Sequence, residues 1–341
     1  LLRARGDAHR VWGDLELARG DLQTAVDLLA NHPHRWLEAQ VTGSLAILDF
    51  FEGRSELGRQ GCHRAIALDD EVGNRIHEGL MRMALGIMLR RGGDDEGAVE
   101  QMGLALALHR RTGSQQFEGA SRINLGNLLR AQGRSAESEE MYLEALTLLR
   151  RLEDHRAAAT VLGNLGSLTA IGGQFSRAKA YFAEALHEGA KGLGSPELAH
   201  IQHNMGCALH LAGELKEAEA AFRQSIDWLE EGEEPLVAAL AGADLVALLA
   251  HNDCIDEAED LFDDIGRVLS KDTELLAEVG IYRAHLELYH CRQSQRSGDE
   301  DTAREYFGRA EARFLESTAG GATLSLPQQI LQSLLNDHRQ G

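Results

Sequence analysis

The densest chemistry in the chain sits at His200, His203, Cys207 and His210. On a helix these positions fall within about 80° of one face at 100° per residue. Imidazole and thiol one turn apart, as at His203 and Cys207, are zinc ligands by type. A metal needs three or four ligands converging on one point, whereas the whole stripe runs about 15 Å along a helix. One period away in either direction the matching places hold Gly163, Ser167, Ala243 and Ala247, which are not ligands. His203 and Cys207 are therefore weak metal candidates only, and no metal or cofactor is expected. The stripe reads as a contact surface whose charge rises below roughly pH 6.5, or as a solvated face.

A second set is amide in character. Asn124, Asn164 and Asn204 recur in NLG, NLG and NMG, with Asp244 next in line and Asn127 beside the first. A side-chain amide both donates and accepts, so a row of them can hold a peptide backbone without reading its sequence. The alternative is that they only bond neighbouring helices. Arg90 and Arg130 share the spacing, and Arg91 adjoins the first. With Asn124 and Asn127 they suggest a locally positive pocket for a carboxylate-bearing or acidic peptide. Each arginine also suits a helix C-terminus for dipole reasons alone. The candidate partner-binding residues are thus Asn124, Asn127, Asn164, Asn204, Arg90, Arg130, His203 and His210.

Catalytic signatures are absent: there is no GxxxxGK[ST], GxSxG, HExxH or paired CxxC. The acid clusters at 230–234 and 256–264 lack the calcium-loop pattern. The expectation is a binding protein with no catalytic residue, not an enzyme. The net charge of −20 argues against nucleic acid as partner. Residues 161–341 carry −16 of it, which steers basic partners or merely keeps the protein soluble. The four cysteines are widely spaced, and no apolar run is long enough to cross a bilayer. With no signal-peptide core in LLRARGDAHR, a reducing, cytoplasmic setting is expected. The chain opens without Met in what reads as mid-helix, so an effector domain preceding it in a longer protein is also expected.

The elements that must position these residues are set by a repeat. Gly53, Gly93, Gly133, Gly173 and Gly213 recur every 40 residues, and Asp253 takes the next place. Seven residues before each stand Ala46, Gly86, Gly126, Gly166, Gly206 and Val246. Five after each come Gly58, Ala98, Ser138, Ala178, Ala218 and Ala258. Four further on lie Cys62, Met102, Tyr142, Phe182, Phe222 and Phe262, and three beyond those Ala65, Ala105, Ala145, Ala185, Ser225 and Ile265. A small residue midway along one helix lets the next pack close, and a turn glycine ends a helix in the left-handed conformation. The larger residue is expected to fill the gap between successive hairpins.

This pattern resembles the tetratricopeptide repeat, most clearly at 123–149 and 164–186. The resemblance implies an all-α solenoid, a right-handed superhelix of about eight hairpins. Units are expected near 1–34, 38–70, 78–112, 118–152, 158–192, 198–231, 238–270 and 274–317, making an array over 1–317. A loop and capping helix follow at 318–341, with Ile330, Leu331, Leu334 and Leu335 on one stripe. The period exceeds the 34-residue form, and the customary closing proline is missing. Ser195 reads as an N-cap before Pro196. The style of the repeat is similar to C-terminal sensor arms of bacterial signalling proteins. It is similar also to kinesin light chains, Leu-Gly-Asn polarity adaptors and Rap-type peptide receptors. That likeness implies that first helices line a concave groove and that inward asparagines hold a peptide or protein partner. A small-molecule or metal sensor built on the His/Cys stripe and a self-assembling element are the alternatives.

Overall fold

The computed structural model describes residues 1–270 and 279–318, together with 328, 331, 332 and 334–336. The described residues are helical apart from turns and contain no strand. The chain divides into two compact units, Leu1–Asp154 and His155–Gly341, where the repeat pattern suggested one undivided array.

The first unit comprises α1 (Leu2–Val11), α2 (Leu15–Asn31), α3 (Arg35–Phe51), α4 (Ser55–Val72), α5 (Arg75–Arg91), α6 (Asp95–Thr112), α7 (Gln115–Ala131) and α8 (Ser135–Arg151). The second comprises α9 (His155–Ile171), α10 (Phe175–Gly189), α11 (Ser195–Leu211), α12 (Leu215–Glu231), α13 (Pro235–His251) and α14 (Ile255–Leu269). A 3-10 turn (Val279–Ile281), α15 (Tyr282–Ser297) and α16 (Glu300–Thr318) complete it. Residues 271–278, which include the opening of the last expected unit (274–317), lie outside the described residues, as does most of the loop and capping helix expected at 318–341, Ile330 included.

From Arg35 onward a new helix begins every 20 residues, at Ser55, Arg75, Asp95, Gln115 and Ser135 and again from His155 through Ile255. The 40-residue period is therefore two equal halves, and the additional residues lengthen helices rather than loops. The turn inside a hairpin and the turn between hairpins have the same construction. Gly133 has φ 74°, and the Arg134 N–H donates to the Leu129 carbonyl five residues back. Gly113, between hairpins, has φ 68°, with the Ser114 N–H on the His109 carbonyl. Both are helix ends closed in the left-handed conformation. The N-terminus of α11 is capped by Gly194, not Ser195, which is already helical. Proline in the first turn therefore acts there without a side-chain cap.

Within a hairpin the mid-helix glycine lies directly under the large residue of the second helix. A Cβ on Gly126 would stand 2.7 Å from Cε1 of Tyr142, and the Ser138 hydroxyl donates to the Gly126 carbonyl at 2.8 Å. In the second unit Gly166 meets Phe182, and Gly206 meets Phe222, each at 2.8 Å. The larger column residue thus covers its own hairpin's glycine first, correcting its assignment to the gap between hairpins. Phe222 in addition shares a buried cluster with Ala243 and Val246 of the following hairpin.

In the first unit α3 touches α5 and α5 touches α7, while second helices contact one another more weakly. In the second unit α9, α11, α13 and α15 are in contact in the same successive way. First helices form the closely spaced layer of each unit. Helix α13 is apolar on all sides and buried from Ala238 to Ala250 except for Leu240, as an interior helix must be. At the far end of the second unit, Leu331 and Leu335 are buried with Ala284, Leu288 and Ala310. That contact covers an apolar face that an array leaves bare at its last hairpin.

Candidate functional site

The side chains with the most chemistry meet in the second unit, where α11, α13 and α15 lie next to one another. His203 and Cys207 stand one turn apart on α11. Asp244 is the only ionisable residue between Pro235 and Ala250 of α13. His203 Nε2 is 2.7 Å from Asp244 Oδ2, and Cys207 Sγ is 4.0 Å from that same nitrogen. The three potential ligand atoms all lie within 4.8 Å of one another. The Tyr282 hydroxyl, at the start of α15, donates to the other Asp244 oxygen at 3.0 Å. The Phe222 ring closes one side, 5.5 Å from the imidazole. Cys207 and Asp244 are buried and His203 is half-buried.

Burial opposes charge on His203, yet Cys207 and the hydrogen-bonded Asp244 carboxylate outweigh it and hold its pKa well above 6.5. Burial pushes the Cys207 thiol up. A nucleophile–base–acid relay needs the thiol and the carboxylate on opposite ring nitrogens. Here both approach Nε2, so these three residues build no such relay. Three donor atoms of different types directed at one point are instead the layout of a cation site.

Spacing puts His203 and Cys207 on one face of α11 but supplies no third ligand, because the positions one full period away hold none. Side chains of adjacent first helices meet on a diagonal: His203 reaches Asp244, and His210 reaches His251, each 41 residues on. Asp244 had been grouped with the asparagine column and is instead tied to His203 and Tyr282. A lone carboxylate in an otherwise apolar helix was the signal that could have found it, since such a group is retained only when partnered.

The expected histidine contact surface is also corrected. His200 is exposed, but His210 is buried, with Nε2 3.1 Å from Nδ1 of His251. Burial, with the neighbouring His251, pushes the His210 pKa down to about 4, so its charge does not appear near pH 6.5. His210 is a core residue and offers little to a partner.

The other candidates are dispersed. Asn124 and Asn204 are half-buried on α7 and α11, and no hydrogen bond among the described residues uses either side chain. Asn164 is half-buried and has a polar interaction of its own. Asn127 accepts a 2.6 Å bond from the Tyr142 hydroxyl, which fixes that ring over Gly126. Arg130 is half-buried near the same tyrosine, with its Nε shielded and unbonded, whereas Arg90 is exposed at the end of α5. Arg91 lies over the Phe50 ring at 5.0 Å. Arg90 and Arg130 are thus in different settings, one solvated and one packed. Sequence reasoning missed a cavity of about 660 Å³ in the first unit, lined by Leu29 and Val26 of α2, Val41 and Leu45 of α3 and Arg64 of α4. No helix among the described residues is long and apolar enough to cross a membrane.

The paired helices, the left-handed turns and the glycine-under-ring packing define a protein of tandem helical hairpins. The chain carries tetratricopeptide repeats: tetratricopeptide repeat family models match residues 118–187 and 198–228. BtubC (BKLC) from P. vanneervenii is 21% identical, with a TM-score of 0.58 over 64% of this chain and 91% of that one. The apo form of the quorum sensor NprR from B. thuringiensis is 14% identical, with a TM-score of 0.63 over 92% and 86%. A Rap protein complexed with competence and sporulation factor is 14% identical, with a TM-score of 0.61 over 99% and 92%. At these identities the likeness is one of fold. No curated protein matches by sequence.

Proposed function

We propose that this chain is an interaction or sensor scaffold that holds a protein or peptide partner on the surface of its first helices. The observation that carries this reading is the state of Asn124 and Asn204. Both amides are partly shut off from water, yet neither side chain is used in a hydrogen bond among the described residues. A partner's backbone, with alternating donors and acceptors, satisfies such groups, and leaving them unmet costs about 1–3 kcal/mol each once water is fully excluded. Asn164 occupies the equivalent column. Half-buried Arg130 adds a fixed positive charge that suits a carboxylate in the bound segment.

The fold agrees with this role, since NprR is a quorum sensor and a Rap protein was captured with competence and sporulation factor. Those likenesses support a place in bacterial signalling. Selection of peptides from a random library on the intact chain, followed by fluorescence anisotropy, tests this reading. Replacing Asn124, Asn164 and Asn204 together by Ala should weaken a selected peptide at least about tenfold while leaving the helical circular dichroism spectrum unchanged. Undiminished affinity in that variant overturns the reading.

A further inference from the structure

We propose that His203, Cys207 and Asp244 form a binding site for a divalent transition-metal ion of the zinc class, with Tyr282 orienting the carboxylate. The argument starts from convergence. An imidazole nitrogen, a thiol sulfur and a carboxylate oxygen, drawn from two neighbouring helices, lie within 4.8 Å of one another. A hydrogen-bonded histidine–aspartate pair needs no thiol on the same nitrogen, and a core cysteine needs no ionisable neighbours. Around a tetrahedral zinc the nitrogen–oxygen and nitrogen–sulfur separations are about 3.4 Å and about 3.6 Å, from bond lengths near 2.0–2.3 Å. The corresponding separations here are 2.7 and 4.0 Å. Seating an ion widens the first and narrows the second by less than about 1 Å, within the reach of side-chain rotation.

Donor chemistry and charge point the same way. Thiolate, imidazole and carboxylate together suit zinc, whereas calcium and magnesium favour all-oxygen sites. One thiolate and one carboxylate neutralise a dication, so the filled site buries no net charge, which its apolar surroundings demand. On binding, the thiol proton and any proton shared by His203 and Asp244 pass to solvent. Tyr282 supplies the outer contact that ligating carboxylates usually have, donating to the oxygen of Asp244 that does not face His203. Three protein ligands leave a fourth position, and half-buried His203 places that position at the solvent-facing margin of the cluster. Because α11, α13 and α15 are all engaged, the ion ties three successive first helices of the second unit together.

The test uses the full chain, stripped with chelator under reducing conditions and titrated with Co²⁺, then competed with Zn²⁺. The expected result is one equivalent of Co²⁺, visible ligand-field bands of a tetrahedral site and a near-ultraviolet thiolate-to-cobalt charge-transfer band that Zn²⁺ abolishes. Cys207→Ser should remove the charge-transfer band, and Asp244→Asn should weaken binding by about 100-fold or more. Tyr282→Phe should weaken it by about 10–100-fold, the usual effect of losing an outer-shell partner. Circular dichroism checks that each variant folds. If Asp244→Asn does not fold, the nearly isosteric Cys207→Ser decides alone. Absence of the charge-transfer band in the parent chain overturns the proposal, and so does its persistence in Cys207→Ser, which would move the thiolate to another cysteine. Retention of the band in the triple-asparagine variant, whether or not its peptide affinity falls, supports the metal site independently of the peptide reading.

Discussion

The first unit answers its buried charges chiefly with arginine. Asp21 is held by Arg5, Glu78 by Arg75 and Arg82, and Arg122 by Glu118 and Glu144. These partners keep their charge across the physiological range, so the pairs are permanent. Asp69 turns to a histidine there, with His77 at 2.5 Å, His9 stands 4.0 Å from Asp21, and buried His109 is bonded to Ser121. In the second unit the balance shifts. Asp244 is met by His203 and Tyr282, and His210 by His251, with Glu287 and Arg313 keeping the older arrangement. One hairpin plan thus carries two kinds of interior. The first leans on fixed ion pairs, and the second leans more on groups that can exchange a proton or, as inferred above, a metal. The same packing rules serve structure in one half and leave room for chemistry in the other.

The largest expected effect tests whether the two interiors differ only in polar content. In the column that covers the mid-helix glycine, the first unit has Met102 over Gly86 and the second has Phe222 over Gly206. Phe222→Ala should cost about 3–5 kcal/mol, because a rigid ring is lost from two hairpins at once. Met102→Ala should cost about 2–3 kcal/mol, since a flexible chain leaves a cavity that its neighbours more easily fill. Urea unfolding measures both. Trp228 reports on the second unit when Trp12 and Trp36, both in the first, are replaced by Phe. Equal costs would mean that the Phe222 ring contributes nothing beyond what the flexible Met102 chain does at the equivalent place.

Acid should separate the units next. The unfolded chain protonates an ordinary histidine near pH 6.5, while folded His210 resists until about pH 4. Between those values the unfolded state binds more protons, so stability is full above pH 6.5 and falls as pH drops toward 4. The loss is on the order of 3 kcal/mol for this residue. His210→Leu should flatten the second unit's profile. His109 is depressed in the same direction by burial, so some softening is expected in the first unit as well. A first-unit profile as steep as the second's would put His109 on equal footing with the His210–His251 pair and erase the contrast.

How much of this was legible in the sequence follows from the range of each signal. Turn glycines and small mid-helix residues repeat at fixed intervals, so Gly133 and Gly126 announced both the hairpin and its close crossing. The half-period is harder to see, because Gly73 and Gly113 give way to Glu153 and Glu233 at the equivalent turns and the glycine column breaks. The site was legible only in part. His203 and Cys207 lie on one helix, where spacing fixes their relation. Asp244 arrives from the next first helix with a one-residue offset that depends on how the helices lean, and periodicity carries no information about lean. The burial of His210 escaped for the same reason: its partner His251 sits on the same diagonal.

The smallest expected effect concerns those interrupted turns. Glu233 adopts φ 60° where Gly113 and Gly133 hold 68° and 74°, and Asp253 adopts 59°. A side chain with a Cβ pays about 1–2 kcal/mol for left-handed backbone, less for aspartate, whose short carboxylate tolerates it. Glu233→Gly should therefore stabilise the second unit by about 1 kcal/mol after the greater freedom of glycine in the unfolded chain is subtracted. Gly133→Ala should destabilise the first by a similar amount, and Asp253→Gly should change little. Thermal unfolding resolves shifts of this size in opposite directions. If Glu233→Gly lowers the midpoint instead, the glutamate is making a contact that outweighs its backbone strain. In that event Glu233 has replaced glycine at this turn for an interaction that the Gly133 turn does without.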